Sequence, residues 1–195
     1  MHFNNKIYDL QSLKTILSGN PKKIGLLGGS FNPAHHGHVE MSKYALSHFN
    51  LDYVIWLISP QNPFKPKYKK TIEERANYAA SIIDNSRILI STMEAEIESK
   101  YTFKTIEFFG LNFPNHNFIW MMGLDCISSF HLWEYFDKFT EFVDIAIFER
   151  PGYLSLAKSV EEIQGLMKSH NHRIILCKNK LVNISSTEIR AKNND

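Results

Sequence analysis

Residues 28 to 38 read Gly-Gly-Ser-Phe-Asn-Pro-Ala-His-His-Gly-His, and no other stretch of the chain gathers so many groups able to do chemistry. Gly28 and Gly29 let a ligand approach the backbone closely, Ser30 and Phe31 follow them, and His35 and His38 flank Gly37 at the spacing of one helical turn. Such a set suits a polyphosphate. N–H groups at a helix start point at an anion, the helix dipole favours negative charge there, and two imidazoles add hydrogen bonds as charge develops on phosphoryl oxygens. The histidines also permit a transition-metal site. Zinc-type coordination would need a third and fourth ligand, and no Cys or His cluster elsewhere in the sequence has metal spacing. Plain packing is the remaining reading.

The other end of the chain holds a second anion-ready turn, Asn183-Ile184-Ser185-Ser186-Thr187-Glu188-Ile189-Arg190. Ser185 and Glu188 form a capping box, leaving the amides and hydroxyls of Ser186 and Thr187 for a ligand, while Arg190 lies one turn along with a guanidinium that forks onto phosphate oxygens. Capping boxes are common, so on its own this segment reads more readily as structure.

Both turns need elements to hold them. Lys23-Ile24-Gly25-Leu26-Leu27, directly before the first, is an apolar run of the buried parallel-strand kind, and Val39, Met41, Ala45, Leu46 and Phe49 after it fall at helical spacing. Similar strands are predicted at 53–58, 87–92, 117–122, 143–148 and 173–177. Between them, Thr71-Ile72-Glu73-Glu74 caps a helix to about Ile83, and Lys100-Tyr101-Thr102 leads into one carrying Phe103, Ile106 and Phe109 and closed by Gly110. Ser159-Val160-Glu161-Glu162 caps another. The alternation predicts an α/β fold, a Rossmann-like, doubly wound and mostly parallel sheet with helices on both faces and ligands beyond the carboxyl ends of the strands. Residues 1–22 carry Ile7, Leu10, Leu13, Ile16 and Leu17 ahead of Gly19-Asn20-Pro21, and read as an N-terminal helical extension on the outside of the sheet. Residues 23–195 read as one domain.

Composition bounds the rest. At 195 residues, 44% apolar and 22% charged, the chain suits a single globular domain. A net charge of +2 is too mild for a nucleic-acid footprint, and no run approaches the ~20 apolar residues of a membrane span. Cys126 and Cys177 are too few for a disulfide framework, and the first residues lack the basic-then-apolar pattern of a signal peptide. A cytoplasmic protein is expected, with no nucleic-acid or membrane partner. Whether copies associate as a homo-oligomer is left open.

The first motif resembles the His-x-Gly-His signature of the nucleotidyltransferase superfamily, and its full form is most similar to the bacterial nicotinate-nucleotide adenylyltransferases. Ile-Ser-Ser-Thr-x-Ile-Arg is similar to the C-terminal signature of the same family, and the resemblance spans Lys23 to Arg190. It implies an enzyme of NAD biosynthesis that moves AMP from ATP to nicotinate mononucleotide, giving deamido-NAD and pyrophosphate. Mg2+ would enter with ATP, with no metal held by the protein. His35, His38 and Arg190 would be catalytic, and Gly28, Gly29, Ser30, Phe31, Gly37, Ser185, Ser186 and Thr187 would bind ATP. Arg150 would join them from Glu149-Arg150-Pro151-Gly152-Tyr153, which lines the adenine side in the family.

On the acceptor side, the resemblance assigns Lys65 of Asn62-Pro63-Phe64-Lys65 to phosphate and Asp125 of Gly123-Leu124-Asp125 to ribose hydroxyls. Trp133 would stack on the pyridinium ring, whose positive charge is drawn to an indole face. Tyr101 and Thr102 would open a helix whose positive dipole end favours a carboxylate over a neutral amide. Without the resemblance, Trp133 with Phe130, Tyr135 and Phe136 reads as core and Lys65 as a solvated loop residue. Sister enzymes using nicotinamide mononucleotide or phosphopantetheine share the ATP half. A non-catalytic nucleotide-binding paralogue is the further alternative, suggested by Asn32 where the family commonly has aspartate.

Overall fold

The computed structural model describes residues 7–60, 69–97, 101–130, 133–149 and 173–178, together with Ser186 and Ile189. Its strands are β1 (Ile7–Tyr8), β2 (Lys23–Gly29), β3 (Tyr53–Ile58), β4 (Ile88–Ser91), β5 (Asn117–Gly123), β6 (Asp144–Phe148) and β7 (Ile174–Cys177). They form one 7-stranded sheet in the order β1-β4-β3-β2-β5-β6-β7, with every pairing parallel.

Covering both faces of a parallel sheet requires strands that are apolar throughout, and Val54 to Ile58 and Phe118 to Gly123 are buried without a break. Alternate side chains serve opposite faces. Leu27, Trp56, Ile90 and Met121 pack with Val39, Met41, Ala45 and Leu46 of α2 (His36–His48) and with Ala76 and Ala79 of α3 (Ile72–Ile82). Leu26, Leu57, Trp120 and Met122 face the other way, onto Leu13 and Leu17 of α1 (Leu10–Leu17) and Phe103, Ile106 and Phe109 of α5 (Thr102–Asn112). Two short helices, α4 (Met93–Glu96) and α6 (Ile127–Phe130), and two 3-10 turns (Leu124–Cys126 and Phe136–Glu141) complete the described elements.

The strand order reverses at β2. The chain leaves it for β3 and β4 on one side and returns to its other flank with β5, Leu27 lying opposite Met121. In a doubly wound sheet the crevice beyond the carboxyl ends of two such strands is where ligands sit. Both the glycine-rich turn after β2 and the Asp125 turn after β5 open onto it.

The α/β sheet and its strands follow the apolar runs closely, with two local differences. Ile7 and Tyr8 pair with Ile90 and Ser91 as an edge strand instead of opening the helical stripe. The helix starts only at Leu10, because the Asp9 carboxylate accepts the Ser12 N–H at 2.8 Å. Gly110 does not close α5, which runs on to Asn112. A Cβ at Gly110 would stand 2.5 Å from Cδ1 of Phe142, so this glycine serves close packing. The helix expected after Ser159 lies outside the described residues.

Candidate active site

β2 ends in Gly28 and Gly29, Ser30 follows almost buried, and α2 begins at His36 with His35 as its N-cap. A Cβ on Gly28 would run into the six-membered ring of Trp120, so only glycine fits under this turn. Phe31 has φ 45°, a left-handed conformation that costs energy for any residue but glycine. Its buried ring stacks on Trp56 at 4.9 Å, which holds the loop in that shape.

His35 and His38 lock each other. The His38 N–H donates to the His35 carbonyl at 2.9 Å, and the His35 N–H donates to Nδ1 of His38 at 3.2 Å. A ring nitrogen that accepts carries no proton, so His38 presents Nε2–H as its donor. The imidazoles lie 3.8 Å apart between centroids, with Gly37 buried between them in the chain. Behind them, Trp56 Nε1 donates to Ser42 Oγ and Ser42 Oγ donates to the His38 carbonyl, each at 2.8 Å. The histidine turn therefore rests on a polar relay whose Trp56 and Ser42 side chains are buried.

One residue of the C-terminal motif, Ser186, reaches the same turn. Ser186, in helical conformation, donates from Oγ to the Pro33 carbonyl at 2.9 Å. Ser185, Thr187 and Arg190 lie outside the described residues, as do Arg150 and Lys65.

On the acceptor side, Asp125 sits half-buried in the 3-10 turn directly after β5, on the other flank of the crevice. Tyr101 is the N-cap of α5, 48% exposed, and Thr102 is the first helical residue, as the helix-start reading requires. Trp133 is half-buried against Phe130 at 5.4 Å and Phe139 at 5.9 Å. Phe139 in turn meets Phe103 of α5 at 6.2 Å. An aromatic chain thus links Trp133 to the helix that Tyr101 and Thr102 open.

Residues 26–192 match the cytidylyltransferase-like family. A protein of Cereibacter sphaeroides named "Probable nicotinate-nucleotide adenylyltransferase" is 34% identical over 181 residues, 86% of this chain and 96% of that protein. One of the same name from Methylorubrum extorquens is 38% identical over 144 residues, covering 73% and 78%. Among solved structures, the Plasmodium falciparum nicotinic acid mononucleotide adenylyltransferase complexed with APC superposes with a TM-score of 0.68 over 87% of this chain and 83% of that one, at 21% identity. The chain belongs to the nicotinate-nucleotide adenylyltransferases. They form part of the cytidylyltransferase-like family, and the sheet described above is that nucleotidyltransferase fold.

Within this adenylyltransferase scaffold, two buried ionisable groups escaped motif reasoning. Arg75 of α3 is 1% exposed and donates to the carbonyls of Ser30, Ser59 and Pro60. A signal for it existed. Arg75 falls on the stripe of Ile72, Ala76 and Ala79, so helical periodicity turns it inward although its neighbours Glu73 and Glu74 suggest a solvated face. Glu94 of α4 accepts from Thr105 Oγ1 at 2.9 Å, and burial pushes its carboxyl up to about 7, with that hydrogen bond pulling the other way. Nothing in its local sequence marks it, because the short helix that buries it has no periodic signature.

Proposed function

We propose that this chain transfers the adenylyl group of ATP to nicotinate mononucleotide, releasing pyrophosphate and forming deamido-NAD, a step of NAD biosynthesis. One observation carries the reading: the His35–His38 turn and the Ser186 segment meet at the strand-order reversal, with the Asp125 turn on the opposite flank. This supports a reading in which the two motifs grip the triphosphate and the Asp125 turn serves the acceptor.

In this reading the acceptor's 5′-phosphate oxygen attacks the α-phosphorus in line, the bond to the β-phosphate oxygen breaks, and pyrophosphate departs with the electron pair. The nucleophile arrives ionised, so positioning and charge neutralisation do the work. His38 donates from Nε2 to an α-phosphate oxygen, and His35 stabilises its neighbours. The amides and side chains of Gly28, Gly29, Ser30, Phe31 and Gly37, with Ser185, Ser186 and Thr187, cradle the phosphates. Arg190 grips the leaving group, and Arg150 lines the adenine side. Lys65 attracts the acceptor phosphate, Asp125 its ribose, Trp133 its ring, and Tyr101 with Thr102 its carboxylate.

Magnesium belongs to the substrate and enters as its ATP complex. Between Gly28 and His38 the turn supplies imidazoles, amides and a hydroxyl but no carboxylate, a poor set for a hard cation. Phosphate oxygens and water therefore hold it. No helix among the described residues is long and apolar enough to cross a membrane.

A coupled pyrophosphate-release assay tests the proposal. Release is expected with nicotinate mononucleotide, and much less with its amide, with phosphopantetheine or with no acceptor. Equal rates for acid and amide would remove the acceptor assignment, and binding of ATP with no release in any arm would leave a nucleotide-binding paralogue.

A further inference from the structure

Arg75 links two loops that the fold brings to the crevice by separate routes. Gly29 and Ile58 are paired at the ends of β2 and β3, and the Ser59 N–H donates to the Gly29 carbonyl at 2.9 Å. Beyond that last rung each strand runs into a loop whose carbonyls no sheet partner satisfies. Arg75 fills the gap. Nη1 donates to the Ser30 carbonyl and to that of Ser59 at 2.9 Å, and Nη2 donates to that of Pro60 at 2.9 Å. Burying a guanidinium to 1% exposure costs several kcal/mol unless its donors are well matched, so an apolar side chain would be the cheaper filler here.

The bond to Ser30 also sets a direction. A peptide unit is planar and trans, so its carbonyl and the following N–H point oppositely. With the Ser30 carbonyl turned onto Arg75, the Phe31 N–H is aimed away from the protein interior that holds Arg75. The positive φ of Phe31 makes that plane prone to rotate unless it is tied. Its ring is pinned by Trp56 and its preceding carbonyl by Arg75.

We propose that Arg75 is a positioning residue for adenylyl transfer: by fastening the Ser30 carbonyl it aims the Phe31 amide at the ATP polyphosphate and keeps a buried positive charge beneath it. The inference deepens the function proposed above and rests on it. Arg75 does not touch substrate. It acts through the loop.

The test uses the full chain with Arg75→Met and Arg75→Lys. Steady-state rates give KM for ATP and for the acceptor, and calorimetry gives affinities for ATP, inorganic tripolyphosphate and adenosine. In Arg75→Met, kcat/KM for ATP is expected to fall by about 10-fold to 100-fold, the scale of a small misplacement in a catalytic site. ATP and tripolyphosphate affinities fall with it, while adenosine affinity and the acceptor KM stay within about two-fold. Arg75→Lys is expected to recover only part of the loss, because an ammonium keeps the charge but lacks the rigid fork that reaches several carbonyls. Should Arg75→Met fail to fold, Arg75→Lys is read on the same scale, with added guanidinium unable to help. A variant whose melting temperature drops while the polyphosphate-to-adenosine affinity ratio stays native would make Arg75 an ordinary loop clamp and overturn the proposal. A wild-type chain that releases no pyrophosphate would end the functional reading instead, and tripolyphosphate binding would still decide the role of Arg75.

Discussion

Ser186 and Pro33 stand 153 positions apart, yet the hydroxyl of the first donates to the carbonyl of the second at 2.9 Å. The bond joins Ser186 to the turn between β2 and α2, so the loop proposed to receive the triphosphate is steadied by a residue from the far end of the sequence. Ser186→Ala removes that tie, since the hydroxyl's one proton goes to the Pro33 carbonyl. An increase in KM for ATP of up to about ten-fold is expected from the loop losing that one hydrogen bond, with a smaller change in the acceptor KM. Steady-state kinetics with each substrate varied in turn checks it, and an unaltered ATP KM would detach Ser186 from the site.

His38 is held with Nδ1 as acceptor, which leaves one orientation and one donor for chemistry. Replacing it with alanine is expected to lower kcat by on the order of 10²–10³, about 3–4 kcal/mol of transition-state stabilisation, with KM for ATP changing far less. Single-turnover rates separate this from slow product release. Activity within a few-fold of wild type would take the imidazole out of the reaction.

Gly28 lies directly against the ring of Trp120. Trp120 is 2% exposed and packed among Leu26, Met122 and Phe130, so it cannot swing aside to admit a methyl group. Gly28→Ala is therefore expected to cost about 1–3 kcal/mol, the usual range for overpacking, measured by urea denaturation. Adding Trp120→Leu should return part of that loss. If the double variant is no more stable than Gly28→Ala alone, the collision is not the cause.

Glu94 makes stability depend on pH in a stated direction. Its native carboxyl holds a proton up to about 7, against 4.5 when unfolded, because burial disfavours the charge. Between those values the native state binds more protons than the unfolded one, so stability falls as pH rises through the window, by roughly 3 kcal/mol at its upper end. Glu94→Gln keeps an acceptor for Thr105 and removes the charge. Denaturation at about pH 5 and about pH 8 should show this variant flatter than wild type and more stable at the higher pH; parallel curves for the two proteins would contradict the argument.

Trp133 is wedged between Phe130 and Phe139 with part of its surface open. Stacking on a cationic ring is worth about 1–2 kcal/mol when desolvated, so Trp133→Ala should raise the acceptor KM by about ten-fold and leave that for ATP near native. A variant that loses stability with both constants unchanged would return Trp133 to the core.

Much of this was legible from residue order because the physics was local. Buried parallel strands write themselves as runs such as Tyr53 to Ile58, and a capping box such as Thr71 with Glu74 fixes a helix start within its own four residues. The site was legible where one short segment carries it, as from Gly28 to His38. Where the cause is a distant neighbour, spacing is silent. Gly110 looks like a helix stop until Phe142 is seen against it, and spacing turns Arg75 inward without naming the carbonyls of Ser30, Ser59 and Pro60 that receive it. Ile7 opens a helical stripe by spacing, yet Ile90 and Ser91 recruit it and Tyr8 to the sheet edge.

The flank of β2 that faces the crevice is completed by β5, which the ribosome delivers only after β3 and β4 have been made. A nascent chain can assemble the β2–β3–β4 half early, but it exposes an open strand edge and has no nucleotide cleft until Asn117 to Gly123 emerges and docks. Ligand-assisted maturation is therefore unavailable to the partly synthesised protein. β5 then carries the open edge in its turn until β6 and β7 follow, and the Ser186–Pro33 tie forms last.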